Sequence, residues 1–111
     1  MLGSRANGLK KIDLNVDIGE GFPFDRDLLK IATSANVCCG DHAGSWELTL
    51  ETIELCKEAG VRIGMHPGFP DRENFGRLMP GDELETSNWE FGLQDQMESF
   101  FQVCPAAYVK P

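Results

Sequence analysis

The stretch SANVCCGDHAG, Ser34 to Gly44, turns from apolar to polar at Gly40. Its first part, Ser34 to Cys39, reads as a short strand ended by that glycine. Its second part sets Asp41 and His42 between glycines, as a loop leaving a strand would. Two other stretches repeat this pattern. KKIDLNVDIGEG, Lys10 to Gly21, alternates Ile12, Leu14, Val16 and Ile18 with Asp13, Asn15 and Asp17. That period of two predicts a strand from about Lys11 to Ile18, closed by Gly19 and Gly21. VRIGMHPG, Val61 to Gly68, reads as a third strand broken at Pro67.

Helical patterns fill the intervals. DRDLLKIA, from Asp25, predicts a short helix with Asp25 as its N-cap. SWELTLETIELCKEAG places Trp46, Leu50, Ile53 and Cys56 at helical spacing, with Ser45 able to cap the start and Gly60 to end it. A second long helix spans about Glu83 to Val103, with Trp89, Leu93, Met97 and Phe100 in the same period. AAYVKP then opens a fourth strand. The order β-α-β-α-β-α-β predicts an α/β fold with a parallel sheet and right-handed crossovers. In such folds the loops after the strands share the carboxyl rim of the sheet, where ligands bind. Asp17, Glu20, Asp41, His42, His66 and Asp71 are therefore expected to converge.

The totals bound the function. A chain of 111 residues is one domain at most, and near this size a domain buries roughly 65% of its unfolded surface. Residues 1–10 read as a flexible N-terminal tail without the apolar run of a signal peptide. Ten basic residues against 18 acidic ones, a net charge of −8, argue against nucleic-acid binding. No run approaches the ~20 apolar residues of a membrane-spanning helix, so the default expectation is a cytoplasmic protein without membrane attachment. Neighbouring strand residues point to opposite faces, so the adjacent Cys38 and Cys39 are expected as reduced, buried thiols.

The chemistry of the rim leaves several readings open. Carboxylates beside two histidines suit general acid–base work. His42, His66 and Asp17 could form a nitrogen and oxygen metal set, yet no H-x-x-x-H or C-x-x-C spacing supports one, and no metal ligand is assigned. GDHAG has the outline of a nucleophile elbow with histidine where serine belongs, and Cys39 with His42 is a conceivable nucleophile pair. No P-loop motif is present. Gly19, Gly21, Gly40 and Gly44 could offer N–H groups to an anion. Arg77 could clamp a carboxylate or phosphate, and the aromatics of the last helix read as core or partner surface.

The blocks KIDLNVDIGEG, SANVCCGDHAG, GVRIGMHPGFPD and FGR, followed by YVKP, closely resemble the LamB/YcsF family, in order and spacing, over about Lys11 to Pro111. The resemblance implies a (β/α) barrel-like fold of the glycoside hydrolase/deacetylase type, truncated here to about four strands, with residues 11–111 forming the N-terminal part of the barrel domain. It also implies ATP-dependent opening of 5-oxoproline to L-glutamate, with ATP as co-substrate, a divalent cation accompanying it, and partner subunits B and C. The matched polar positions are Asn15, Asp17, Glu20, Asn36, His42, His66, Asp71, Arg77 and Lys110. Chemistry then suggests Asp17 or Glu20 as general base, His42 and His66 as orienting or proton-donating groups, and Lys110 as the stabiliser of developing negative charge. Asn15, Asn36, Asp71 and Arg77 are expected to hold substrate. A second arginine often follows Arg77 in the family, where Leu78 stands here. Rival expectations are a metal-dependent amide hydrolase or deacetylase, and a non-catalytic fragment that binds partners or self-associates through open sheet edges.

Overall fold

A computed structural model describes residues 12–74 and 76–110; the expected N-terminal tail lies outside the described residues. The elements follow in the order β1 (Asn15–Ile18), α1 (Asp25–Leu29), β2 (Ser34–Cys38), α2 (Trp46–Ala59), β3 (Arg62–His66), α3 (Glu83–Val103) and β4 (Tyr108–Val109). The four strands form one sheet in the order β1-β2-β3-β4, every pair parallel. An order that never reverses means each crossover steps the same way. With right-handed crossovers, successive helices then fall on one face of the sheet.

β1 is shorter than the alternation suggests. Its ladder begins at Asn15, opposite Ser34, because Ser34 is the first strand residue of β2. Ahead of it, Leu14 donates its N–H to Thr33 Oγ1 at 2.8 Å, and the Thr33 and Ser34 hydroxyls donate to Asp13. Side-chain bonds thus replace ladder bonds over residues 12–14.

The helix-covered face is apolar. Ile18, Ala35, Val37 and Met65 from the strands pack with Leu29, Ile53, Cys56 and Phe100 from the helices. The opposite face carries Asn15, Asp17, Asn36, His66, Tyr108 and Lys110, which alternation places together. The side of β1 that a simple pattern would give to solvent is therefore the side that builds a site.

α2 starts and stops as its sequence requires. Ser45 Oγ accepts the Leu48 N–H at 3.1 Å, and Gly60 closes the helix in the left-handed conformation at φ 70°. Its buried face, however, is Thr49, Thr52, Ile53 and Cys56, while Leu50 is 38% exposed. The threonines tolerate burial because their hydroxyls find carbonyls. Thr49 Oγ1 lies 2.6 Å from the Cys38 oxygen, and Thr52 Oγ1 donates to the Leu48 oxygen at 2.6 Å. Asp25 does not cap α1: Phe24 holds the N-cap position, and the Asp25 carboxylate accepts the Gly19 N–H at 2.9 Å. α3 matches its expected span, capped by Asp82 accepting from the Glu85 N–H.

Candidate functional site

The loops after β1, β2 and β3 and the end of β4 enclose a cavity of about 510 Å³. Asp17, Glu20, His42, His66, Arg77 and Lys110 line it. These side chains come from separate turns of the chain, and the parallel register of the strands brings the turns to one rim.

Two charge groups divide the cavity. In the first, Lys110 Nζ stands 2.7 Å from Asp17 Oδ2, and Asn36 donates to Asp17 Oδ1 at 2.9 Å. Burial works to raise the Asp17 carboxyl, but the bonds from Lys110 and Asn36 outweigh it and hold the group below its usual range. Asp17 is therefore an ionised anchor for Lys110 and a weak base. In the second group, His42 Nε2 lies 3.5 Å from Glu20 Oε2, and the His42 and His66 rings meet with centroids 4.7 Å apart, tilted by 58°. Burial, followed by the charge of Lys110, pushes the His66 imidazole down, which keeps it neutral near pH 7. One donor atom from each of Glu20, His42 and His66 lies within 4.8 Å of the others. The sequence points to Asp17 as the carboxylate beside the histidines; tertiary structure puts Glu20 there.

His42 is almost fully buried at 2% exposure, and its surroundings explain the glycines. A Cβ on Gly68 would overlap the His42 ring, and one on Gly76 would stand 2.9 Å from the His42 Cβ. The β3–α3 loop is held against the ring by Gln96, whose side-chain amide receives the Gly68 N–H at 3.0 Å and donates to the Gly68 oxygen at 2.9 Å. Arg72 ties that loop to the preceding one, donating to the Gly40 oxygen at 2.8 Å and the Gly44 oxygen at 2.6 Å. Neither Gln96 nor Arg72 is among the residues expected at the site. Gln96 is legible as a polar residue on the apolar side of α3; Arg72 carries no signal.

Not every expected residue reaches the cavity. Asp41 lines a separate cleft of about 440 Å³ against α3, with Trp46, Asp95 and Ser99. It precedes His42, and the turn sends the two side chains apart. Asp71 commits its carboxylate to its own loop, accepting from the Asn74 side chain at 3.1 Å and the Leu78 N–H at 3.1 Å. Asn15 and Asn36 sit one layer below, joined to Ser34 and to Tyr108, whose hydroxyl donates to Asn36 at 2.7 Å. Tyr108 shares a face with Lys110 two residues on, and it closes this layer over Gly64, where a Cβ would overlap its ring.

The thiols are structural. Cys39 packs in the apolar core, and burial pushes it up to about 12. Cys38 is the cysteine beside His42, with Sγ 3.7 Å from Nε2, and it donates to the Ala43 oxygen at 2.9 Å. Burial raises that thiol as well. The Cys39–His42 nucleophile pair is thus absent, since the strand turns those side chains to opposite faces.

The LamB/YcsF family model matches residues 12–109. The chain belongs to the LamB/YcsF family. It is 45% identical over 108 residues to the A subunit of 5-oxoprolinase from Haemophilus influenzae strain PittEE, covering 93% of this chain and 43% of that protein. It is 47% identical over 111 residues to the corresponding 5-oxoprolinase chain of Histophilus somni strain 129Pt, with the same coverage. Among solved structures, the lactam utilization protein from Thermus thermophilus superimposes with a TM-score of 0.73 at 35% identity. That match covers 92% of this chain and 44% of the other. The LamB/YcsF chain thus spans less than half the length of the relatives it matches.

Proposed function

We propose that this chain supplies the substrate-side rim of the 5-oxoprolinase A subunit, opening 5-oxoproline to L-glutamate with hydrolysis of ATP, together with subunits B and C. The observation that carries this reading is the convergence of Glu20, His42 and His66 with the Asp17–Lys110 pair around one cavity. The names of the relatives supply the substrate and the subunit organisation. In the longer proteins, the singly wound sheet is one sector of a (β/α) barrel of the glycoside hydrolase/deacetylase type, and its polar face looks into that barrel.

A five-membered lactam is a resonance-stabilised amide, so opening it needs an activated carbonyl and an activated water. Phosphorylation of the amide oxygen by ATP, with a divalent cation on the phosphates, makes the carbon electrophilic and releases ADP. Water then attacks that carbon, its protons pass to the rim and to the ring nitrogen, the C–N bond breaks, and phosphate leaves. The Glu20–His42–His66 cluster activates the water, because Asp17 is committed to Lys110 and Asn36. Lys110 and Arg77 bind the negative charge on the substrate carboxylate and on the activated oxygen. Asn15 and Asn36 set the floor of the pocket, and Asp71 shapes the loop that presents Arg77.

The test is glutamate release from 5-oxoproline with ATP and subunits B and C, comparing the chain with its Lys110→Ala variant. Glutamate from the unaltered chain and a loss of at least about 100-fold in the variant are expected. Equal turnover by both would overturn the role of the rim.

A further inference from the structure

We infer that Glu20, His42 and His66 form a binding site for a divalent transition-metal ion of the zinc class. The inference deepens the reading of this cluster as the water-activating group, but binding can be measured without turnover. The ligand chemistry is that of catalytic zinc sites, which use two imidazoles and one carboxylate and leave a position open. Here the open side is the cavity lined by Arg77 and Lys110.

The geometry is close to what such an ion requires. Ligands at about 2.1 Å in a tetrahedral arrangement stand about 3.4 Å apart. The His42 Nε2 to Glu20 Oε2 distance is already 3.5 Å, and all three donor atoms lie within 4.8 Å of one another. Small side-chain rotations close the remaining gap, and only the two outer ligands need to move. His42 is fixed by the backbone of Gly68 and Gly76, which Gln96 and Arg72 hold in place.

A second observation concerns His66. Its Nδ1 is buried and has no hydrogen-bond partner among the described residues, and Asp17 Oδ2 is the carboxylate facing it at 3.9 Å. An unsatisfied imidazole nitrogen in a site otherwise rich in bonds costs free energy. Coordination through the ring, with the remaining nitrogen turned to Asp17, satisfies both nitrogens in the manner of a carboxylate–histidine–metal relay. Lys110 in turn holds Asp17 away from the ion, which explains why Glu20 from the following loop is the carboxylate ligand.

Cobalt(II) is the probe, because its visible absorption reports a four-coordinate nitrogen and oxygen site. The 111-residue chain, stripped with chelator and dialysed, is titrated with Co²⁺, and zinc is then used to displace it. One equivalent with a tetrahedral spectrum, displaced by zinc, is expected. Glu20→Gln and His66→Gln are expected to weaken binding by at least about 100-fold, and Asp17→Asn by about 10-fold. Asp95→Asn, in the other cleft, is expected to leave it unchanged. Circular dichroism establishes that each variant is folded. No stoichiometric binding by the folded chain, or equal affinity in Glu20→Gln and His66→Gln, would overturn the site. Glutamate production that persists after zinc-class ions are stripped, with magnesium retained, would also overturn it and leave the proposed reaction standing. Stoichiometric metal without glutamate would do the reverse.

Discussion

The two faces of the sheet are built on opposite rules. The helix-covered face is held by Ile18, Val37, Ile53, Met65 and Phe100, whose contacts are non-directional. The polar face is held by bonds with named partners, from Asn15 through Asn36 to Tyr108 and from Asp17 to Lys110. Apolar packing tolerates exchange of shape for shape, whereas a polar network leaves a cost at every partner when one member goes. The fold is thus carried by the replaceable face and the chemistry by the irreplaceable one.

The sharpest test of this contrast uses the thiols. Burial pushes Cys39 and Cys56 from 9.0 up to about 12, so near pH 8 their thiolate fraction falls by about three orders of magnitude. Alkylation of these two cysteines in the folded chain is expected to stay slow until the pH approaches 12, and to become fast in denaturant. Rapid labelling at about pH 8 under native conditions would show the helix-covered face to be open. Next in size, Phe100→Ala removes the largest fully buried side chain and is expected to cost about 3–5 kcal/mol in urea unfolding. Since small domains are stable by about 5–15 kcal/mol, the variant should be close to unfolded.

On the polar face, Asn36→Ala strands Asn15, Asp17 and Tyr108 together and is expected to cost about 2 kcal/mol. Asn36→Asp, similar in shape but placing a second carboxylate against Asp17, should be no better. A loss below about 0.5 kcal/mol in both would erase the distinction between the faces. The smallest effect belongs to neither face. Ser45→Ala removes the cap of α2 and is expected to lower stability by about 1 kcal/mol, read as a shift in urea midpoint with unchanged slope.

Much of this arrangement is legible locally. Alternation and helical spacing mark every element in order, and the bounds of α3 and both ends of α2 follow from caps and glycines. The errors are informative. Apolar spacing points to Leu50 on the buried side of α2, but Thr49 and Thr52 take that place because backbone carbonyls satisfy their hydroxyls. The first turn of α1 uses Asp25 to tie down Gly19 rather than to cap, since the loop that needs a partner lies just upstream.

By itself, the sequence determined the parallel α/β order and the clustering of Asp17, Glu20, His42, His66 and Lys110 at strand ends, because both are written in short-range periodicity and turn chemistry. Only the tertiary structure decided which of those groups meet. Lys110 captures Asp17, Glu20 comes to the histidines, Asp41 turns to another cleft, and Gln96 and Arg72 brace the loops around His42. These contacts join residues far apart along the chain, and strand register and loop packing, rather than any local pattern, fix the distances between them.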